Sequence, residues 1–191
     1  MEVIRCFIAV DVAEELRQVL AREYRLLARQ VKGLRWVTPN NYHLTLKFLG
    51  EVAREQIPAI AQVVRRAAAA VAPFTVRLVG LGAFPQRSNP RVVWVSVSEG
   101  TAELRALWRQ IDGGLAELGF AADQRRFTPH LTIARARSGL NSAELQPVFR
   151  RLQARDWGAY TVTTVNIMQS QLQPNGPIYT VLERIPLQGD C

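Results

Sequence analysis

The sequence predicts one domain of mixed helices and strands, duplicated internally and folded about a pseudo-twofold axis. Three observations carry this. The chain has 191 residues and is 48% apolar, which suits one domain or two small lobes sharing a core and excludes disordered, collagen-like and low-complexity readings. Strand-like and helix-like patterns alternate along its length, with no linker that would separate independent domains. The two halves also superimpose at a single offset of 87 residues, Phe7 falling on Trp94, Asp11 on Ser98, His43 on His130, Thr45 on Thr132 and Phe74 on Thr161. The match lies in pattern rather than letters. It reads as an internal duplication, approximately 1–87 and 88–174, and a duplicated unit packed about a pseudo-twofold axis brings its equivalent strands face to face.

Along the chain, residues 3–10 (VIRCFIAV) read as a buried strand. Asp11 then starts a helix, with Glu14 three residues on in a capping-box-like arrangement, and apolar Leu16, Val19, Leu20, Leu27 and Val31 keep helical spacing until Gly33. Leu34 to Val37 is a short strand, Thr38-Pro39-Asn40-Asn41 is turn chemistry, and Tyr42 to Leu49 is a strand closed by Gly50. A second helix covers about 53–71, Phe74 to Leu81 is a strand, and Gly82 to Pro90 (GAFPQRSNP) is a loop. In the second half, Arg91 to Val97 is a strand. Helix 101–118 follows, with Leu104, Leu107, Trp108, Ile111, Leu115 and Leu118 on one face and Gly119 at its end. Thr128 to Arg135 is a strand, a weaker helix with Pro147 inside it covers 142–154, and strands at 159–168 and 178–184 flank the turn Pro174-Asn175-Gly176-Pro177. Gly113-Gly114 inside a helix has no explanation in the pattern.

The longest apolar stretches, such as Ala67 to Phe74, run to eight residues, far below the roughly 20 that span a bilayer. The N-terminal MEVIRCFIAVDV is interrupted by charge and too short for a secretory signal. Two cysteines, Cys6 and Cys191, make no disulfide scaffold. The expectation is a soluble cytoplasmic protein. Its net charge is +8, and of 24 basic residues only Lys32 and Lys47 are lysine. Arg holds phosphate in bidentate fashion and favours a polyanionic partner, although arginines filling ordinary solvated faces give the same count.

The chemistry lies in the histidines. There are two, and each heads the same pattern, His43-Leu44-Thr45-Leu46 and His130-Leu131-Thr132-Ile133. Ten threonines in 191 residues give any His a roughly 5% chance of a Thr two places on, so two coincidences are roughly one in 400. In a strand, residues i and i+2 share a face. Each imidazole therefore stands beside a hydroxyl, while Leu44, Leu46, Leu131 and Ile133 turn the other way into packing. Two such strands facing each other form a cleft holding two imidazoles and two hydroxyls. Imidazole titrates near 6.5, so one ring can accept a proton while the other donates one, and the hydroxyls can hold non-bridging phosphate oxygens. That apparatus cleaves a phosphodiester in line without a metal. The alternative is a pair of satisfied histidines on polar strand faces, with Thr present for its strand propensity.

These residues resemble the two-histidine (2H) phosphoesterases, specifically the RNA 2′,3′-cyclic phosphodiesterases also called 2′-5′ RNA ligases. The resemblance covers FIAVDV, LRWVTPNNYHLTLKFLGEV (Leu34 to Val52), GLGAFP (Gly80 to Pro85), RFTPHLTIAR (Arg126 to Arg135) and a closing S-x-L-x-P-x-G-x-x-Y from Ser170 to Tyr179. It implies an α+β fold, with two pseudo-twofold-related lobes of antiparallel strands and outer helices around a central cleft. It implies hydrolysis of an RNA-terminal 2′,3′-cyclic phosphate to a 2′-phosphate, with reversible ATP-independent 2′-5′ joining of RNA ends. By the family's assignment His43 is the proton donor and His130 the proton acceptor. Thr45 and Thr132 bind phosphate. The implied partner is RNA with 2′,3′-cyclic phosphate ends, tRNA fragments among them, and the expectation is a monomer with no cofactor, no metal and no membrane partner.

Further candidates are weaker. Lys47 shares the His43 face by strand parity and either balances phosphate charge or is a solvated strand-end lysine. Arg135 is a phosphate ligand by its place in the family pattern, but five residues from His130 is the opposite face unless a bulge intervenes. Phe7, Phe48 and Tyr179 either stack a base or belong to the core. Arg125 and Arg126 read as a basic turn. Two alternatives stay open: a phosphodiesterase of the same fold acting on ADP-ribose cyclic phosphate or a 2′-5′ oligonucleotide, and a non-catalytic RNA-binding module.

Overall fold

The computed structural model describes residues 2–124, 126–137, 140, 142–174 and 176–189. Arg125, Asn175 and Cys191 lie outside the described residues. The elements are β1 (Val3–Asp11), α1 (Glu14–Gln30), β2 (Leu34–Trp36), β3 (His43–Ala53), α2 (Ile57–Ala69), β4 (Phe74–Gln86), β5 (Asn89–Glu99), α3 (Thr101–Ala116), β6 (His130–Ala136), α4 (Ser142–Leu152), β7 (Asp156–Val162), β8 (Thr164–Gln171) and β9 (Ile178–Pro186).

All strand pairings are antiparallel, in the order β7-β4-β5-β6-β3-β1-β8-β9, with β2 also on β6. The fold is the α+β class expected. Alternate strand residues turn toward the helices: Ile4, Cys6, Ile8 and Val10 of β1 are each at most 5% exposed, as the period of two requires. They meet helix stripes of period 3.6 such as Leu104, Leu107, Ile111 and Leu115 of α3, all at 0% exposure; burying each contributes roughly 1.5–3 kcal/mol. The opposite sheet face carries a separate small cluster of Phe7, Ala9 and Met168, with Tyr179 against it. This face is the cleft.

At the centre of the sheet, β3 and β6 share only the pair Leu44↔Leu131. Beyond it, β6 pairs with β2 instead, through Ala134↔Trp36, Arg135↔Arg35 and Ala136↔Leu34. The strand order reads equivalently from either edge under the 87-residue offset, β1, β3 and β4 falling on β5, β6 and β8. Each half of the sequence hands its last strand across: β4 pairs with β5 and β7, and β8 with β1 and β9.

Several local readings are corrected. Asp11 ends β1 rather than capping a helix; α1 starts at Glu14 with Ala13 before it, and the Asp11 carboxylate accepts from Asn166 Nδ2 at 2.7 Å instead. The segment Gly82 to Pro90 is a hairpin, since β4 runs to Gln86 and β5 begins at Asn89; cross-strand pairing outweighs its Gly, Pro and Asn content. The strand expected at 159–168 is two, broken between Val162 and Thr164. Pro147 sits inside α4, held there by buried Leu145, Val148, Phe149 and Leu152. Gly114 has a packing reason: a Cβ there would lie 2.7 Å from Val63 Cγ1 of α2.

Candidate active site

The two histidines open β3 and β6. Each strand then carries the same irregularity. Against β1, β3 pairs Thr45 with Ala9 and Lys47 with Ile8, leaving Leu46 extra; against β5, β6 pairs Thr132 with Trp94 and Ala134 with Val93, leaving Ile133 extra. Each is a one-residue bulge, which flips the face of the residues that follow it; on β3 a second shift at Leu49 restores the original parity. Burial follows the same course, both strands being half-buried, buried, half-buried, buried, buried and exposed from the histidine onward.

The bulges decide the weaker candidates. Arg135 returns to the face of His130 and Thr132, where its guanidinium depresses the basicity of both His43 and His130. Phe48, its counterpart on β3, is 63% exposed and lies toward the opposite end of the cleft, since the two strands run antiparallel about Leu44 and Leu131. Lys47 is the correction: it is rotated to the helix side and is 3% exposed. Its Nζ lies 2.5 Å from Asp112 Oδ1 and 3.0 Å from Asp123 Oδ1 and donates to the Ala121 carbonyl at 2.8 Å. Lys47 does not reach the cleft; it ties β3 to α3 and to the segment leading into His130. Asp112 and Asp123 are remote in sequence, which hid this role.

The imidazoles are held alike. His43 Nδ1–H donates to the Asn41 carbonyl at 2.8 Å and His130 Nδ1–H to the Thr128 carbonyl at 2.7 Å. An oxygen that only accepts fixes the proton on Nδ1, so Nε2 is the reactive nitrogen of both rings. Burial lowers His43 from 6.5 to about 4, against the Asn41 carbonyl and the Asp11 carboxylate, which favour the charged ring; Arg135 and Arg17 add to the lowering. Burial also lowers His130, with Arg135 adding to it and the Thr128 carbonyl opposing. Asp11, the Cα partner of His43, makes the pair unequal. The Thr45 and Thr132 hydroxyls make no hydrogen bond among the described residues.

Aromatic rings back both histidines. Phe7 lies 4.8 Å and Tyr179 5.2 Å from the His43 ring, centroid to centroid, while Phe84 lies 5.0 Å and Trp94 5.9 Å from His130. Phe7 is 3% exposed, so it supports His43 and offers no free face to a base. Phe48 and half-buried Tyr179 keep theirs. Phe84 and Trp94 were not singled out in the sequence, although the offset that pairs Phe7 with Trp94 was the available signal. Gly82 is Trp94's strand partner, and the indole occupies the space a side chain there would fill. Arg126 is exposed. Among the described residues no group of three His, Cys, Asp or Glu is placed to hold a metal ion, and no helix is long and apolar enough to cross a membrane.

Comparison with known proteins finds relatives along nearly the whole chain. The family model of the 2′-5′ RNA ligase superfamily matches residues 12–173. An RNA 2′,3′-cyclic phosphodiesterase of Methanothermobacter thermautotrophicus is 35% identical over 94% of this chain and 97% of its own. One of Thermus thermophilus is 36% identical over 97% and 91%. Among solved structures, a Thermus thermophilus protein superimposes with a TM-score of 0.83 at 32% identity, covering 98% of this chain and 100% of that one. E. coli LigT complexed with 3′-AMP gives 0.78 at 30%, covering 97% and 99%.

Proposed function

The chain belongs to the 2′-5′ RNA ligase superfamily, and on that premise we propose that it is an RNA 2′,3′-cyclic phosphodiesterase acting through His43 and His130. The observation that carries the mechanism is the matched pair of Nδ1–H donations, which leaves two Nε2 atoms on one cleft face beside two unengaged hydroxyls. The cyclic phosphate sits between them with its non-bridging oxygens on Thr45, Thr132 and Arg135. His130 Nε2 takes a proton from water as the water oxygen bonds to phosphorus. The phosphorus–O3′ bond breaks in line, and His43 Nε2 gives its proton to O3′, leaving a 2′-phosphate. The protons then redistribute through solvent. The donor role of His43 rests on the family resemblance: the Asp11 carboxylate favours the charged ring but does not outweigh burial in the free enzyme, and a bound phosphate anion shifts the balance toward the charged form. With an RNA 5′-hydroxyl replacing water, the same path gives ATP-independent 2′-5′ joining. Phe48 and Tyr179 stack the terminal base.

Placement in the cytoplasm, action as a monomer on tRNA fragments without cofactor or metal, and an origin in duplication of 1–87 and 88–174 complete the proposal. The strand order supports the last of these. The test is RNA ending in a 2′,3′-cyclic phosphate, incubated with and without EDTA. The expected product is the 2′-phosphate in both. Binding without turnover favours an RNA-binding module, and turnover of ADP-ribose cyclic phosphate or 2′-5′ oligoadenylate alone favours those substrates.

A further inference from the structure

Arg35 lies on β2 directly opposite Arg135 of β6. Directly opposed residues of an antiparallel pair share a face. On either side, Leu34 and Trp36 pair with Ala136 and Ala134 and pack on the core, so the two arginines take the other face, that of His130 and Thr132. Both are exposed. Arg35 also reaches toward the far rim: a Cβ on Gly176 would lie 3.7 Å from its Nη2. The neighbouring Pro177 carbonyl accepts from Asn41 Nδ2 at 2.9 Å, and the Asn41 carbonyl holds His43. Arg35 therefore stands at the mouth of the cleft, one strand out from Arg135.

Like charges directly opposed across a strand pair are unfavourable. Arg54, Arg65, Arg77 and Arg151 pair with carboxylates. Arg35 and Arg135 have no ion pair or hydrogen bond among the described residues. The two uncompensated arginines stand on adjacent strands, and their long side chains can reach two neighbouring phosphates of one chain.

We propose that Arg35 binds the phosphodiester one nucleotide to the 5′ side of the reacting end, making the cleft selective for an oligonucleotide over a cyclic mononucleotide. This rests on the activity proposed above and extends it to substrate length. A nucleoside 2′,3′-cyclic monophosphate with a free 5′-hydroxyl has nothing for Arg35 to hold; a trinucleotide with the same end does.

The test is kcat/KM on both substrates for wild type, Arg35→Ala and Arg35→Lys, with melting temperatures confirming intact folds. The ratio of trinucleotide to mononucleotide kcat/KM is expected to fall roughly tenfold in Arg35→Ala, with part of it restored in Arg35→Lys. The salt dependence of trinucleotide binding should lose about 0.7 in log–log slope, one phosphate contact on a single strand. A ratio within twofold of wild type, or equal losses on both substrates, overturns the proposal. Binding of a 2′-phosphate-ended trinucleotide, followed by anisotropy, separates the two readings. A wild type that binds roughly tenfold tighter than Arg35→Ala but turns over neither substrate contradicts the activity and keeps the Arg35 site; equal binding rejects the site whatever the activity.

Discussion

Leu44 and Leu131 are Cα partners at the one point where β3 and β6 pair, and each is the residue between the histidine and the threonine of its own strand. The antiparallel register about that pair sets His43 alongside Thr132 and Thr45 alongside His130. Because the leucines point into the core, both at most 1% exposed, the four polar side chains share the opposite face. The pair also joins positions 87 apart, so it lies where a pseudo-twofold axis would cross the sheet.

The hydroxyls hold the phosphate, so Thr45→Val and Thr132→Val should each lower kcat/KM on the cyclic phosphate roughly tenfold or more, the loss of one charge-assisted hydrogen bond. Steady-state kinetics alongside melting curves read this. A fall in stability without a kinetic loss would make them packing residues.

The pH dependence follows from two histidines lowered below 6.5. The competent free enzyme carries one proton shared between them, so kcat/KM should be bell-shaped with its maximum below 6.5, its limbs belonging to the pair. The bound phosphate anion favours charged imidazole, so the kcat maximum should lie at higher pH. Stability has the sign of a depressed base: full above 6.5 and lost as pH falls through about 4, where the unfolded chain binds the extra proton. Urea titrations of wild type and His43→Asn across that window should diverge; parallel curves would contradict the depressed value.

Lys47 has become a structural prediction. Removing one member of a buried charge cluster leaves the others uncompensated, so Lys47→Met should cost about 3 kcal/mol, the low end for buried pairs because Asp123 is 43% exposed. Chemical denaturation measures it. A cost below about 1 kcal/mol would show that the cluster behaves as a surface pair.

Gly82→Ala should push Trp94 off its place and with it the backing of His130. The expected result is a lower kcat, an altered tryptophan fluorescence and a lower melting temperature. An unchanged emission spectrum would contradict the contact.

Much of this was legible because it repeats locally. The His-x-Thr pairs, their strands and the offset between them can be read from side-chain period alone. The bulges could not be, since a one-residue slip at Leu46 and Ile133 is set by register against β1 and β5. That slip misdirected Lys47 and made Arg135 look misplaced. The end of β1 at Asp11 was misread for a related reason, since its pairing partner His43 is distant in sequence; the hairpin at Gly82 to Pro90 pairs residues close in sequence and was hidden by its Gly, Pro and Asn content. Trp94 was legible as the equivalent of Phe7 but gave no local sign of facing a histidine.

The division of labour between the histidines is tested most directly by a cyclic substrate whose 3′ oxygen is replaced by sulfur, a leaving group that needs no proton. His43→Ala and His130→Ala should each lose roughly 10²-fold or more on the natural oxygen substrate. On the sulfur substrate, His43→Ala should recover most of the wild-type rate and His130→Ala should not. Recovery by His130→Ala instead would reverse the roles, and recovery by neither would contradict proton donation to the leaving oxygen.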